Sequence, residues 1–378
     1  MIKKITYAIF SNLKNAIGWK TARKIIVFSV DDYGNVRLNS KEARKNLDNA
    51  GMKIYSRFDE LDTLETKQDL EQLYEVLNSV KDKNGRAAVF TPFSLPCNIN
   101  FEKMEQEDFQ KYHFEPLPET YRKLAIEQPI AYDGAWEIWQ KGIEMGFMKP
   151  QFHGREHLNL AIFNEKLKER DTQLLTALKN KSYTSISDES YPTMASTAAF
   201  DFWEVNENEL LKPILIDGLN WFEKVYGYKS NYFTPPVFNI HNSLFSTLKQ
   251  NGVEFIDVGL VRNEHQGGGK YKKSINYTGK QTNDGLTIIV RNVVFEPTEE
   301  RGIDWVSHTI KQIETSFRWN RPAVISSHRV NFCGHIDPAN RTKGLLTLKK
   351  LLHEIVMKWP EVEFMSADEL GDLIHTKK

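Results

Sequence analysis

Hydrophobic positions along this chain alternate between two rhythms. Residues 25–30, IIVFSV, form a nearly unbroken apolar run rich in β-branched side chains, the pattern of a strand buried on both faces of a parallel sheet. Similar short runs recur at 87–91 (AAVFT), near 150–153, at 231–234 (NYFT), 254–259 (EFIDVG), 286–295 (LTIIVRNVVF), 323–328 (AVISSH) and near 363–365. Between them the spacing turns helical. Asn39 and Glu42 read as a capping box for a helix that Gly51 ends. Leu70, Leu73, Tyr74, Leu77 and Val80 make one apolar stripe, and Trp136, Trp139 and Ile143 another, stopped by Gly146. Helices are also expected over 208–226, 242–250, 304–317 and 340–358. Two stretches break the rhythm: residues 98–130 are polar, aromatic and irregular, and 172–207 is rich in Ser and Thr.

Strand followed by helix, about eight times over, argues for a parallel α/β architecture. That many repeats favours a closed or nearly closed (β/α) barrel of seven or eight strands, distorted by insertions near 98–130 and 172–207. Residues 25–378 are expected to form this single domain. GGGKYKK at 267–273 reads as a mobile basic loop, since it lacks the strand and helix that flank a phosphate-binding loop.

Charge and composition narrow the chemistry. Lys+Arg and Asp+Glu both number 50, so the net charge is zero and no nucleic-acid partner is expected. Two cysteines, Cys97 and Cys333, cannot build a disulfide framework or a Cys-rich zinc site, so any metal must be held by His and carboxylates. Residues 1–24 carry six basic side chains and no acidic one, with Ile2, Ile5, Ile9, Leu13 and Ile17 at helical spacing. Asn12, Lys14 and Asn15 interrupt any secretion-signal core, and no run reaches the ~18 apolar residues of a membrane span. The expectation is a cytoplasmic protein whose basic amphipathic N-terminal helix packs on the domain or touches the inner face of the membrane.

Candidate chemistry sits where strands end. In (β/α) barrels the C-terminal ends of the strands carry the active site. Asp31-Asp32, His153, Thr234-Pro235-Pro236 and His328 all fall there. The adjacent carboxylates point in different directions, so one can bind a metal while the other acts as a base, although DDYGN is also good turn chemistry. In HGREH, His153 and His157 are four apart, which on a helical turn puts both imidazoles on one face. With Asp32 they make a two-histidine, one-carboxylate set with an open position, typical of catalytic zinc, with Co2+, Ni2+ or Fe2+ as alternatives. His328 is placed to protonate a leaving group.

This ordered set resembles the polysaccharide deacetylase superfamily (NodB-like, carbohydrate esterase family 4). The motifs read SVDD (29–32), HGREH (153–157), FTPPVF (233–238), DW (304–305) and ISSH (325–328). The resemblance implies a NodB-like barrel with Asp31 as general base, Asp32, His153 and His157 as metal ligands, and His328 as general acid. It implies that Asp304 orients an imidazole, that the Val237 N–H lies in the oxyanion hole, and that Thr234, Pro236 and Trp305 belong to the substrate region. The implied reaction removes an acetyl group from an N-acetylated, or O-acetylated, sugar or glycan precursor by metal-activated water.

Three features depart from the family pattern. Thr234 stands where the family has the arginine that orients its catalytic Asp, leaving Arg155, Arg291 and Arg329 as candidates. Arg301 replaces the first Asp of the fourth motif. The 98–130 insertion widens the gap between Asp32 and His153, and its Phe101, Phe109, Tyr112, His113, Phe114 and Tyr121 could wall a sugar cleft or simply pack together. The competing readings are a catalytically silent sugar-binding barrel, supported by Thr234, and another metal-dependent hydrolase. A glycosidase would need two carboxylates across a cleft, and phosphate chemistry favours two metals.

Overall fold

The computed structural model describes residues 11–186 and 190–376. Nine parallel strand segments form its main sheet: β1 (Lys24–Tyr33), β2 (Phe90–Ser94), β3 (Gln151–Phe152), β4 (Tyr232–Phe233), β5 (Phe255–Asp257), β6 (Thr287–Ile289), β7 (Val293–Val294), β8 (Ala323–His328) and β9 (Val362–Met365). Neighbours run β6-β5-β4-β3-β2-β1-β8-β7, and β9 pairs with the first residues of β1.

The two ends of that path, β6 and β7, belong to the single run 286–295. Thr287–Ile289 pairs with Phe255–Asp257 on one side, and Val293–Val294 pairs with Ile325–Ser326 on the other. The sheet therefore curls round onto one chain segment and becomes a (β/α) barrel. Between the two halves, the Asn292 side chain stands in for the missing ladder: its Oδ1 accepts the Val324 N–H at 2.8 Å and its Nδ2 donates to the Pro322 carbonyl at 2.9 Å. That substitution frees Arg291, its neighbour, to turn inward.

Alternation along the strands sorts the side chains. Ile26, Phe28 and Val30 of β1 join the large outer core with Leu70 and Leu73, Trp139, Leu215 and Phe222, Ile313, and Leu348 from the surrounding helices. Ile25 and Val27 instead meet Phe93, Tyr232, Phe255, Ile289 and Val324 in a separate cluster inside the barrel. Ala367, Leu370 and Ile374 of the last helix (Ala367–Thr376) close it from below. Gly371 permits that approach, because a Cβ there would lie 2.6 Å from the Phe255 ring. Successive strand side chains point to opposite faces. Residues two further on from this apolar layer therefore face the barrel's upper mouth.

Several local expectations shift. The first helix (Lys41–Asn49) is capped by Ser40, whose Oγ accepts the Ala43 N–H, and not by Asn39; the capping box is at Thr66 and Asp69. The second strand begins at Phe90 instead of Ala87, because Ala87 and Ala88 are used in a bridge to Lys81 and a bond to Leu77. The 98–130 insertion is ordered, with an antiparallel pair (Cys97–Ile99 with Phe114–Pro116) and helices Phe101–Gln106 and Leu117–Glu127. GGGKYKK is half strand: Val261–His265 pairs with Tyr271–Ile275, and His265 is stacked between Phe202 and Tyr271 with Nδ1 on Asp201.

Residues 11–16 are helical and dock on the barrel through Arg321, which donates to the carbonyls of Asn15 and Ala16, and through Asn292, which donates to Asn15. Ile2, Ile5 and Ile9 of the N-terminal stripe lie outside the described residues; Leu13 and Ile17 are exposed. Among the described residues no helix is long and apolar enough to cross a membrane.

Candidate active site

The inner-face alternation delivers the site. Asp31, His153, Thr234, Asp257, Arg291 and His328 each lie two residues beyond an earlier strand position: Ser29, Gln151, Tyr232, Phe255, Ile289 and Ser326. The ladder slips between Val30 and Tyr33, and Asp32 takes a left-handed backbone with φ +76°. A bulge of this kind re-aims side chains next to functional sites. Here it turns Asp31 and Asp32 toward different partners.

Asp32, His153 and His157 come together, with their ligand atoms all within 4.8 Å of one another. The Asp32 Oδ1 lies 3.5 Å from His153 Nε2 and 3.2 Å from His157 Nε2. His153 donates its Nδ1–H to the Thr234 carbonyl at 2.7 Å, which orients the ring and turns Nε2 toward Asp32. Buried His153 Nε2 and His157 Nδ1 have no hydrogen-bond partner. A donor set of two nitrogens and one carboxylate oxygen, closely gathered and underused, fits a divalent ion. Burial pushes the Asp32 carboxyl up, but the two imidazoles outweigh it and hold it well below the usual range. Residues 153–157 do not form the helical turn expected: a bend spans 155–158, and Gly154 with φ +123° leads into it.

Asp31 faces the other way, into a buried network. Arg291 grips it bidentately, Nη1 to Oδ2 at 2.6 Å and Nη2 to Oδ1 at 2.8 Å. The same guanidinium donates Nε to Asp257 Oδ2 at 2.8 Å and Nη2 to Thr234 Oγ1 at 3.0 Å. Thr234 in turn donates to Asp257, as does the Tyr232 hydroxyl. Of the three candidate arginines, Arg291 is therefore the one at Asp31. Arg155 pairs with Glu156 and Asp217, and Arg329 with Asp62 and Glu65.

His328 Nδ1 lies 2.7 Å from Glu296 Oε1, and its Nε2 is 3.9 Å from Asp31 Oδ2. Burial opposes charge on the ring, but Glu296, Asp32 and Asp31 outweigh it and push His328 up to about 9. Glu296 is held by Arg57 and by Asn331 Nδ2 at 2.7 Å. Asp304, expected to orient an imidazole, instead caps the helix Trp305–Arg318 by accepting the Ser307 N–H. Glu296 occupies the place at His328 because β7 ends beside β8, whereas residue 304 has left the barrel mouth.

A cavity of about 280 Å³ opens over these groups, lined by Asp31, Asp32, His153, His157 and His328, with Pro235, Val237 and Phe238 on one side. Val237 and Phe238 both have φ +57°, a strained backbone for non-glycine residues and one that clusters at active sites. The next two N–H groups bond back to Pro235 and Pro236, while the Val237 N–H reaches no backbone carbonyl among the described residues. Thr234 and Pro236 are buried behind the wall and do not line the cavity. Trp305 also lies away from it, donating to the Glu299 carbonyl. The aromatic set at 98–130 is absent from the lining, and Phe101, Phe109 and Tyr121 are core residues.

Instead the short helix Arg57–Leu61 supplies the opposite wall. Phe58 lines the cavity and sets its ring edge to face against His328, centroids 5.2 Å apart, while Arg57 reaches Glu296. Arg37 and, from the 172–207 insertion, Ser185 and Thr197 complete the rim. Sequence reasoning missed Asp257, Glu296 and the helix Arg57–Leu61. Glu296 carried the same signal as the others, an acidic side chain directly after a predicted strand, whereas Asp257 lay inside the run 254–259.

No protein-family model and no curated protein matches the sequence. Among solved structures the chain is similar to a protein from Mycobacterium smegmatis assigned to the polysaccharide deacetylases, with 10% identity, 96% of this chain and 93% of that one covered, and a TM-score of 0.43. It is also similar to a family 4 acetyl xylan esterase from Clostridium thermocellum, solved with a cobalt ion (11% identity, 93% and 91% covered, TM-score 0.35). A 4-alpha-glucanotransferase from Thermococcus litoralis matches over 92% of this chain but 40% of its own length, with 12% identity and a TM-score of 0.45.

Proposed function

We propose that this protein is a metal-dependent hydrolase that removes an acetyl group from an N-acetylated, or O-acetylated, sugar or glycan precursor. The observation that carries the reading is the division of labour in one cavity: Asp32, His153 and His157 gathered around underused donor atoms, beside an arginine-gripped Asp31 and a His328 held by Glu296. A divalent ion on those three ligands, Zn2+ first and Co2+, Ni2+ or Fe2+ as alternatives, would acidify a water and polarise the acetyl carbonyl.

The chain's own residues supply the rest. Asp31, oriented by the Arg291 fork, takes the proton from the attacking water. The Val237 N–H donates to the carbonyl oxygen as negative charge builds there. His328 holds its proton at Nε2 with Nδ1 on Glu296, and passes it to the departing sugar amine or hydroxyl. Thr234 no longer supports a silent barrel, because Arg291 supplies the charge that residue 234 lacks. The basic N-terminal segment, with Leu13 and Ile17 exposed, suits contact with the inner membrane surface, where lipid-linked glycan precursors are made.

The test is elemental analysis of zinc-supplied wild type beside His153→Ala/His157→Ala, with acetate release followed on short N-acetylglucosamine oligomers and other acetylated glycans. Wild type should hold about one metal per chain and the double variant none. Asp31→Asn should keep the metal and lose turnover. A wild type that binds no metal after zinc supply refutes the mechanism.

A further inference from the structure

Among the described residues, the cavity is lined by one guanidinium that the proposed reaction does not use. Arg37 lines it, only 7% exposed, and its guanidinium is held along one edge. Nε and Nη2 both donate to Asp59 Oδ1, at 3.2 and 2.8 Å, and Nη2 also donates to Ser185 Oγ at 2.9 Å. Nη1 has no hydrogen-bond partner among the described residues. Asp59 is fully buried and firmly set, since Oδ1 also accepts the Ser185 N–H and Oδ2 the Ser56 hydroxyl.

Arg57 makes the contrast. Both guanidinium groups flank the Phe58 ring, at 5.6 Å for Arg37 and 5.3 Å for Arg57. Arg57 is consumed by the protein, with Nη1 on Thr298 and Asn331 and Nη2 on Glu296. Arg37 is anchored, and among the described residues its Nη1 is not consumed. A guanidinium fixed by a buried carboxylate loses little entropy when its remaining N–H groups meet a ligand, and its charge-assisted bonds to oxyanions are about twice as strong as neutral ones.

We infer that Arg37 is a specificity residue that binds an anionic substituent, carboxylate or phosphate, on the sugar held in this cavity. The inference rests on the proposed function for the sugar being acetylated, but not for the anion. At about 280 Å³ the cavity is at the small end of ligand pockets, so a sugar ring near the metal ligands places its substituents against the far wall. Ser185 ties that wall to the 172–207 insertion, which gives the insertion a role in choosing the substrate.

Calorimetry on the zinc-supplied full chain tests this with three probes: the neutral methyl glycoside of N-acetylglucosamine, N-acetylglucosamine phosphate and N-acetylglucosaminuronate. At least one anionic probe should bind roughly tenfold tighter than the neutral one. Preference for phosphate alone points to a phosphate-linked precursor, and preference for carboxylate alone to a uronic-acid unit. The preference should vanish in Arg37→Gln and survive in Arg57→Gln. Arg37→Lys, which keeps a charge opposite Asp59 if Arg37→Gln does not fold, should lose it too, because one ammonium cannot hold Asp59 and reach the ligand. Equal binding of all three probes, no binding by any, or a preference that survives Arg37→Gln overturns the inference. An Arg37-dependent preference without acetate release from any glycan would overturn the deacetylase reading and leave the anion site standing.

Discussion

Replacing Arg291 by Met keeps roughly the volume and removes the charge. Asp31 and Asp257, both buried, then face the same space without the guanidinium that bonds each of them at 2.6–2.8 Å. Removing one partner of a buried ion pair typically costs ~3–5 kcal/mol, because the remaining charge stays desolvated. Unfolding entropy of ~2.1 cal/mol/K per residue over 378 residues gives about 0.8 kcal/mol/K, so the melting temperature should fall by about 4–6 °C. Turnover should fall further than stability suggests, by ~10²–10⁴-fold, because Asp31 loses the fork that orients it for the proposed role as base. Scanning calorimetry with an acetate-release assay reads both. The double variant Thr234→Arg/Arg291→Thr moves the guanidinium to the position where the resemblance had placed it. Arg291 Nη2 lies only 3.0 Å from Thr234 Oγ1, so part of both losses should return. A folded Arg291→Met protein with unchanged melting temperature and near-normal turnover would refute the network as the support of Asp31.

Two further outcomes follow from His328 and its surroundings. Its raised value means that the charged pair with Glu296 contributes stability fully below about pH 6.5, and that this contribution disappears as pH rises through about 9. Activity that needs protonated His328 should therefore fall on the alkaline side. Glu296→Gln should move that limb to lower pH in a pH–rate profile, and an unmoved limb would remove Glu296 from the role. Gly344→Ala would place a Cβ 1.8 Å from the Asn331 carbonyl oxygen, forcing the helix Pro338–Lys358 off the 329–332 turn. A loss of ~1–3 kcal/mol in denaturant unfolding is expected, with the alkaline limb shifting as Asn331 releases Glu296.

The strand pattern was legible because alternation is a property of the backbone. Runs such as 25–30 and 323–328 needed no tertiary knowledge, and the strand-end rule located Asp31, Asp32, His153 and His328 at one mouth. Where local structure depends on a single cap, the reading slipped by a residue, as at Asn39 and Ser40. Where burial depends on neighbours, it failed more widely. Aromatic residues at 98–130 carry the same composition whether they wall a cleft or fill a core, and here Phe101, Phe109 and Tyr121 fill the core.

What the sequence determined by itself is the parallel α/β barrel and the gathering of Asp31, Asp32, His153, His157 and His328 at its mouth, since spacing and strand ends specify which residues reach it. Only the tertiary structure decided who partners whom. Arg291 and Asp31 are separated by 260 positions and Glu296 and His328 by 32, and each pair meets because 286–295 closes the barrel between β5 and β8. A charge carries no mark of its partner along the chain. Barrel closure chose Arg291 over Arg155 and Arg329, and Glu296 over Asp304, by putting them within hydrogen-bond reach.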